Sequence, residues 1–468
     1  MKNNFYLFII TICILLFNLI SCNKENDKSI IDDNWKSNDN YTIKFTNGKF
    51  ITNKDYIICI EKKSKTKDFI ILNLTDIQLR DIDIQDNTEF FRIAENIIEI
   101  LVKKVKPDLI TVTGDQGYGT KSTIMHVGNL IDQYGIPWAP IFGNHDNQEM
   151  ELNTEEQAYL YENSFNNCLF KSGPRNLAST YSGSIAWGNY IINIIERDDP
   201  SSTNNEFHVV KSLIFINSGD IYDYTKDPKF NNQKPINDRN YAMLTSNQIK
   251  WYKWAVKDVQ HYGKNGKVKS ALFLHIPIYA YNTAFAAAYK TDVDIFNYQN
   301  YTASVKNEDV FDTFVNKTFW NEGYEHSVGG IREMICSPPY DDHVFEAIKN
   351  FDDNENSNYI STDLVIAGHD HTNNFIIEYE GVTLAYGLKT GMASYANEDL
   401  IGGSVILVHD SGKSVMYHQF TNNIKVLTYP WRIYLIIGVV VFALIVIFAI
   451  VIKRIYTYRR YKSISSNC

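Results

Sequence analysis

Hydrophobic and polar positions between residues 68 and 142 follow a strand–helix–strand rhythm. Phe69 to Leu74 form a short, mostly apolar run, which is typical of a strand that is buried on both faces. Apolar residues then recur at helical spacing from Thr88 to Lys104, and Pro107 ends that segment. The next predicted elements are a strand at Leu109 to Val112, a helix at Lys121 to Tyr134 and a strand at Trp138 to Phe142. This alternation predicts βαβ units on a mainly parallel sheet.

The second half of the chain adds strands, one amphipathic helix and two hairpins. The strands are predicted at Tyr190 to Ile195, Leu213 to Asn217, Ala271 to Leu274 and Asp363 to Ile366, the helix at Ser246 to Val259, and the turns at Glu380-Gly381 and Asp410 to Gly412. The stretch from Tyr281 to Asn358 has no regular pattern, so we expect a long irregular loop there.

Two apolar segments lie near the ends of the chain. Met1 to Cys22 has an early lysine, an apolar run and a small residue before a cysteine, which is typical of a secretory signal. Its last four residues also resemble a bacterial lipobox, so lipidation of Cys22 is an open alternative. Ile433 to Ile452 carries no charge and is close to the ~20 residues that span a bilayer; a buried core helix is the alternative. Basic residues follow it, so the positive-inside rule predicts a cytoplasmic tail and a main domain outside the cell or in an organelle lumen.

This pattern divides the chain into five predicted parts. They are a signal peptide at 1–22, a polar lead-in with strands at 23–66, the main domain at 67–425, a transmembrane helix at 433–452 and a tail at 453–468. Cys59, Cys168 and Cys336 allow at most one disulfide in the main domain. Glycosylation sequons occur at Asn40, Asn73, Asn300 and Asn316, of which Asn73 falls in a predicted buried strand. The net charge of −9 argues against nucleic acid as a partner, because phosphate backbones are bound by basic surfaces.

Polar side chains follow the predicted strands directly at five places. The segments are Thr75-Asp76-Ile77-Gln78, Gly114-Asp115-Gln116-Gly117-Tyr118, Gly143-Asn144-His145-Asp146, Leu274-His275 and Gly368-His369-Asp370-His371. Strand ends meet at one edge of an open α/β sheet, where ligands bind. Aspartate, asparagine and histidine side chains together form a mixed oxygen and nitrogen set that suits a pair of divalent or trivalent ions.

The order of these segments is similar to that of the calcineurin-like metallophosphoesterases, and it extends from Asp76 to His371. Residues Thr245 to Gln248 and Phe273 to Pro277 also resemble a branch near the purple acid phosphatases. The resemblance implies an α/β fold in which two mixed β-sheets form a sandwich flanked by helices, to which this chain would add one C-terminal transmembrane helix.

The resemblance also implies roles for individual residues. The metal ligands would be Asp115 as the bridge between two ions, Asp76 and His371 on the first ion, and Asn144, His275 and His369 on the second. His145 would donate a proton to the leaving group. Iron, manganese and zinc are the ions that this ligand set favours.

Several residues around this predicted centre leave alternatives open. Gln78 stands where many relatives have histidine, and Tyr118 has the spacing by which purple acid phosphatases bring a tyrosinate onto iron; either could complete the first ion, or Tyr118 could pack under the loop. Arg332 and Lys389 are candidate phosphate or substrate contacts. His326 fits no motif but lies near a segment that resembles one of the family.

The function expected from these observations is metal-dependent hydrolysis of phosphate esters by a membrane-anchored domain. The sequence does not separate a phosphatase from a phosphodiesterase, because loops determine the substrate. A degenerate relative that binds a ligand or partner without turnover is the main alternative, and a structural surface receptor is another. The sequence does not indicate the oligomeric state.

Overall fold

The structure is a computed structural model that describes residues 40–148, 151–177, 187–198, 206–289, 320–352, 358–421 and 452–453. The strands are β1 (Ile43–Thr46), β2 (Lys49–Thr52), β3 (Ile57–Glu61), β4 (Phe69–Leu74), β5 (Leu109–Thr113), β6 (Trp138–Ile141), β7 (Tyr190–Arg197), β8 (Phe207–Phe215), β9 (Lys269–Phe273), β10 (Thr362–Ala367), β11 (Ile376–Tyr379), β12 (Val382–Tyr386), β13 (Gly402–Val408) and β14 (Ser414–Phe420). The α-helices are α1 (Asp81–Gln85), α2 (Glu89–Val105), α3 (Lys121–Asp132), α4 (Thr154–Asn163), α5 (Ser246–Val259), α6 (Ala280–Ala288) and α7 (Val344–Lys349).

The strands form two mixed sheets and one small hairpin. A seven-stranded sheet has the order β11-β12-β10-β9-β8-β7-β3, and a five-stranded sheet has the order β14-β13-β4-β5-β6. Strands β4, β5 and β6 pair in parallel, as do β8, β9 and β10, while β13 and β14 are antiparallel. A mixed α/β architecture with several sheets and helices, as predicted, is therefore present.

Contacts between the sheets bring the two groups of parallel strands together. The Tyr190 hydroxyl on β7 donates to the backbone oxygen of Pro140 on β6 at 2.7 Å. The backbone N–H of Ser414 on β14 donates to the Asp363 carboxylate on β10 at 2.8 Å. Helix α2 packs on β4 and β13, and helix α5 packs on β8, so helices flank both sheets.

The helices follow from their sequences. Ala94, Ile97, Ile98 and Leu101 form the buried face of α2 at helical spacing. That helix ends at Val105. The backbone of the next residue, Lys106, is left-handed with φ 52°, and Pro107 follows directly. Helix α5 begins with a capping box, in which the Thr245 and Gln248 side chains each bond the other residue's backbone N–H.

Two sequence expectations need adjustment. The predicted loop from Tyr281 to Asn358 contains helix α7 and nearly all of α6, because the buried Tyr281 hydroxyl donates to the backbone oxygens of Val365 and Ala385 and ties α6 to the sheet. The main domain also begins before residue 67, since β3 pairs in parallel with β7. Within the described residues, Cys59, Cys168 and Cys336 are free thiols.

The chain divides into two compact units, Met1–Asn422 and Asn423–Cys468. The predicted signal peptide lies outside the described residues, and so does the predicted transmembrane helix except for Ile452. Among the residues that are described, no helix has both the length and the apolar character needed to cross a membrane. Asn73 is fully buried in β4, which rules it out as a glycosylation site in the folded chain.

Candidate metal centre

The five polar segments all lie where strands of the two sheets end. Asp76, Asp115 and Asn144 follow β4, β5 and β6 of the five-stranded sheet, whereas His275 and His369 follow β9 and β10 of the seven-stranded sheet. Within each sheet, backbone bonds join neighbouring segments, because the Gly368 N–H donates to the His275 oxygen and the Asp76 N–H donates to the Gly114 oxygen. Between the sheets, the His369 N–H donates to the Asp76 carboxylate at 3.0 Å.

Four of the site residues have a left-handed backbone, which is uncommon outside glycine. The φ angles are 52° for Asp76, 50° for Gln78, 54° for Asp115 and 76° for His369. Each such residue costs on the order of 1–2 kcal/mol, and such strain concentrates at functional sites. The sheet junction therefore holds these side chains in positions that the local sequence alone would not favour.

One group of four predicted ligands converges on a single point, and we call it the complete position: Asp115, Asn144, His275 and His369. The His275 Nε2 atom lies 3.3 Å from Asp115 Oδ1, 3.0 Å from Asn144 Oδ1 and 3.3 Å from His369 Nδ1. Metal–ligand bonds of ~2.0–2.2 Å place two tetrahedral donors roughly 3.3–3.6 Å apart. The spacing of these four donors therefore suits one metal ion.

The hydrogen bonds behind this group aim the imidazoles at that point. His275 Nδ1 lies 2.8 Å from the Thr113 backbone oxygen, so this nitrogen carries the proton and Nε2 faces the other ligands. Burial and the neighbouring His275 lower the pKa of His369 to about 3, which keeps its ring neutral. Burial also lowers the pKa of His275, but the carboxylates of Asp115 and Asp76 outweigh it and raise that pKa to about 10. The carboxylates thus favour positive charge at the complete position.

A second pair of predicted ligands, Asp76 and His371, forms what we call the incomplete position. His371 Nε2 lies 3.5 Å from Asp76 Oδ1, and His371 Nδ1 lies 2.8 Å from the Tyr395 backbone oxygen. Asp76 Oδ1 is buried and makes no hydrogen bond within the described residues. Charged groups around it outweigh burial, so the pKa of Asp76 lies well below its usual range. A buried, ionised oxygen without a donor fits a cation.

Gln78, the residue that departs from the common pattern, directs its amide oxygen away from the ligands. Gln78 Oε1 accepts a hydrogen bond from Lys389 Nζ at 3.3 Å, and Gln78 Nε2 donates to Asp115 Oδ2 at 3.0 Å. This orientation follows from the partners, because an ammonium only donates and a carboxylate only accepts. The Gln78 side chain therefore bonds the carboxylate of Asp115, the predicted bridging ligand, and offers no oxygen ligand to the incomplete position.

Lys389 does not face a substrate, contrary to expectation. Its side chain is buried, and Nζ donates to the Asp76 backbone oxygen at 2.7 Å. Burial lowers the pKa of Lys389 to about 8, against the opposing effect of Asp76 and Asp115. Arg332 is half-buried and His326 is exposed.

His145 and Tyr118 lie beside the metal centre. The His145 side chain is 31% exposed, with Nε2 4.0 Å from Asp115 Oδ2. The Tyr118 ring meets the His145 ring edge-on at 5.2 Å between centroids, and the Arg80 guanidinium lies 4.9 Å from the Tyr118 centroid. These contacts place the Tyr118 ring against that of His145 and make it a support for His145.

Two acidic residues that the sequence did not single out hold the loops in place. The Asp146 carboxylate accepts hydrogen bonds from the backbone N–H groups of Asp115, Gly117 and Gly143. The Asp370 carboxylate accepts from the Cys336 N–H and from the Tyr386 hydroxyl. Both lie in the strand-end segments that carry the predicted site residues, which was the available signal.

Asp220 is a third missed residue, and it lies at the open side of the site. It accepts a hydrogen bond from Gln148 Nε2 at 3.4 Å, and burial raises its pKa while the charge of His145 opposes that shift. Asp220 follows the end of β8, so a systematic search of strand ends would have found it. Tyr241, whose ring meets His369 at 4.3 Å, had no such signal.

The donor set as a whole fits metal ions. Ligand atoms of Asp76, Asp115 and His275 all lie within 4.8 Å of one another and are buried. Mixed sheets with a buried carboxylate–imidazole cluster at their strand ends are typical of metal-dependent hydrolases.

Comparison with known proteins agrees with this class. Residues 69–183 match the family model for the calcineurin-like phosphoesterases. The resemblance to this superfamily, on the side of the purple acid phosphatases, is therefore confirmed.

The curated relatives carry phosphatase names. "Probable inactive purple acid phosphatase 14" of Arabidopsis thaliana is 25% identical over 313 residues, which are 64% of this chain and 62% of the relative. "Phosphatase DCR2" of Saccharomyces cerevisiae is 22% identical over 311 residues, which are 63% of this chain and 42% of the relative. The chain thus spans less than two thirds of the length of either protein.

Solved structures that align with this chain include a dimetal phosphatase from Danio rerio. It is 10% identical, covers 75% of this chain and 96% of its own, and has a TM-score of 0.41. Another is "GAP50 the anchor in the inner membrane complex of Plasmodium", with 12% identity, coverage of 77% and 87%, and a TM-score of 0.38.

Proposed function

We propose that this chain hydrolyses phosphate esters at the metal centre described above. The observation that carries the proposal is the complete position, where donor atoms from two sheets converge. There, His275 Nε2 lies 3.0–3.3 Å from the donor atoms of Asp115, Asn144 and His369. Bound metal ions would lower the pKa of a coordinated water molecule and neutralise charge on a phosphoryl group. The donors suit iron, manganese or zinc, without selecting among them.

The residues of this chain would divide the remaining tasks. His145 is close to Asp115 but partly open to solvent, so its imidazole could give a proton to a leaving-group oxygen. Tyr118 would hold that ring in place through their edge-on contact.

The test is hydrolysis by the purified full chain of one chromogenic phosphate monoester and one diester, each with manganese, zinc, magnesium or iron. Asn144→Ala should abolish turnover and reduce metal content, because Asn144 contributes an oxygen to the complete position. The exposed His326 supplies a matched control, and His326→Asn should leave both unchanged. Metal-loaded chain that hydrolyses neither ester, or Asn144→Ala with full activity, would refute the proposal.

Binding of a phosphate ester without turnover is the second candidate. It is favoured by the amide of Gln78, which bonds the bridging carboxylate instead of offering a ligand oxygen, and by the word "inactive" in the name of one relative. Metal-loaded chain that binds inorganic phosphate but cleaves neither chromogenic ester would support this candidate. Measurable turnover that is lost in Asn144→Ala would exclude it.

We also propose that the main domain faces the cell exterior or an organelle lumen and is held at the membrane by residues 433–452. The support is the charge-free sequence of that segment and the basic residues after it. Deleting residues 433–468 should release the protein into the medium. Truncated protein that still resists extraction from membranes with carbonate would contradict the proposal.

A further inference from the structure

The metal centre is asymmetric in the donors that it offers. At the complete position, four donor atoms surround one point, and the hydrogen bond from His275 Nδ1 to the Thr113 backbone oxygen holds His275 in the orientation that a ligand needs. At the incomplete position, Asp76 and His371 supply only two donors besides the bridging carboxylate. The complete position should therefore bind a metal ion more tightly than the incomplete position, even before the surrounding groups are considered.

Gln78 reduces the affinity of the incomplete position further. Its Nε2 donates at 3.0 Å to Asp115 Oδ2, the second oxygen of the bridging carboxylate, and so uses a lone pair of that oxygen. An ion bound there would have to compete with this hydrogen bond. The Gln78 oxygen cannot turn to help, because exchanging the amide atoms would set an NH₂ group against the Lys389 ammonium.

Lys389 adds a cation directly behind these groups. The side chain is 2% exposed, and its ammonium bonds the backbone of Asp76 and the side chain of Gln78. The carboxylates of Asp76 and Asp115, with the more distant Glu333, are the negative charges that act on it. The ammonium therefore neutralises part of the charge that would otherwise attract a second metal ion.

We propose that the centre holds one ion tightly, at the complete position, and that the positive charge of Lys389 weakens the incomplete position so that a second ion binds only at high metal concentration. This inference rests on the proposed metal centre but not on turnover. Each group behind a metal ligand changes affinity by about 10–100-fold, so Gln78 and Lys389 together should make the second ion bind at least ~100-fold more weakly than the first.

The test is a titration of the chelator-stripped full chain with Mn²⁺, followed by electron paramagnetic resonance and by metal analysis after gel filtration. The unaltered chain should retain about one ion and should show the six-line signal of isolated Mn²⁺ up to one equivalent. Lys389→Met should narrow the gap between the two dissociation constants by ~10-fold or more. Lys67→Met, which removes an exposed charge of the same type, should leave the gap unchanged.

Three results would overturn the inference. Two retained ions with similar dissociation constants would refute the asymmetry while supporting the metal centre. A folded Lys389→Met chain with an unchanged gap would show that the ammonium has no such effect. No titratable Mn²⁺ at all would refute the centre as well. If Lys389→Met does not fold, the titration of the unaltered chain tests the proposal alone. A signal from spin-coupled Mn²⁺ pairs below one equivalent of Mn²⁺ would overturn it, and the signal of isolated Mn²⁺ would support it.

Discussion

Asp146 connects the two loops that carry Asp115 and Asn144, so its replacement by alanine should loosen both. The carboxylate accepts hydrogen bonds from the N–H groups of Gly143, Asp115 and Gly117 at 2.7, 2.9 and 3.2 Å, and the residue is 2% exposed. A buried polar group left without its partner costs ~1–3 kcal/mol, and water that enters the vacated space recovers part of that cost. We therefore expect Asp146→Ala to lower the free energy of unfolding by ~3–6 kcal/mol.

The measurement is urea denaturation of the chelator-treated full chain, since bound metal would add its own contribution to stability. Burial and the charge of Asp115 raise the pKa of Asp146 to about 7, so the experiment is run at pH 8, where the carboxylate is mostly ionised. Asp146→Asn keeps one acceptor oxygen and should lose only ~1–3 kcal/mol. Asp55 is exposed, and Asp55→Ala should stay within about 0.5 kcal/mol of the unaltered chain.

Two results would refute the reasoning about Asp146. A loss below about 1 kcal/mol in Asp146→Ala would mean that water replaces the carboxylate completely. Equal losses in Asp146→Asn and Asp146→Ala would mean that the negative charge matters and the number of acceptors does not.

Four further predictions follow. His145→Asn should slow hydrolysis of alkyl phosphates by ~10²–10⁴-fold but spare activated aryl phosphates and metal content; equal losses would argue against a general acid. A Cβ on Gly143 would lie 2.1 Å from Asp115 Oδ1, so Gly143→Ala should release metal on metal analysis, whereas Gly135→Ala, with no atom within 4 Å, should retain it. Burial raises the pKa of Asp342 to about 7 from near 4, so the penalty for ionising it grows as pH rises through that window. At pH 8, Asp342→Asn should raise the unfolding temperature, with a gain of up to ~4 kcal/mol in the free energy of unfolding. At pH 4 the substitution should have no effect, and an equal effect at both pH values would contradict the role of Asp342 ionisation. Chelation should lower the unfolding temperature of the unaltered chain, and added metal should restore it; no change would mean that the folded state binds no metal.

The sequence predicts the elements that bear the centre because their signals are local. Phe69–Leu74 and Ser246–Val259 have the bounds that the apolar pattern predicts, and both hairpin turns lie where glycine marks them. The predicted ligands also follow strands that converge, since parallel strands bring their ends to one edge. Helix α6 was missed because it is held by contacts of Tyr281 with distant strands.

The positions of Gln78 and Lys389 could not be predicted for the same reason. Their hydrogen bond joins residues that are 311 positions apart in the chain, and the bond from Lys389 to the Asp76 backbone spans 313. A lysine near the end of a strand is ordinarily a surface residue, and its pattern carries no sign of burial. The outcome depends on how the two sheets meet, which no local window of sequence contains.

The meeting of the two sheets also explains why metal binding and folding should be linked in this protein. The five-stranded sheet supplies Asp76, Asp115 and Asn144, and the seven-stranded sheet supplies His275 and His369. The carboxylates on one side and the imidazoles on the other are buried, so each side would leave desolvated polar groups if the sheets separated. An ion that bonds both sides acts as a cross-link between the sheets and binds only when they are docked. Its binding free energy therefore adds to the stability of the junction that positions its ligands.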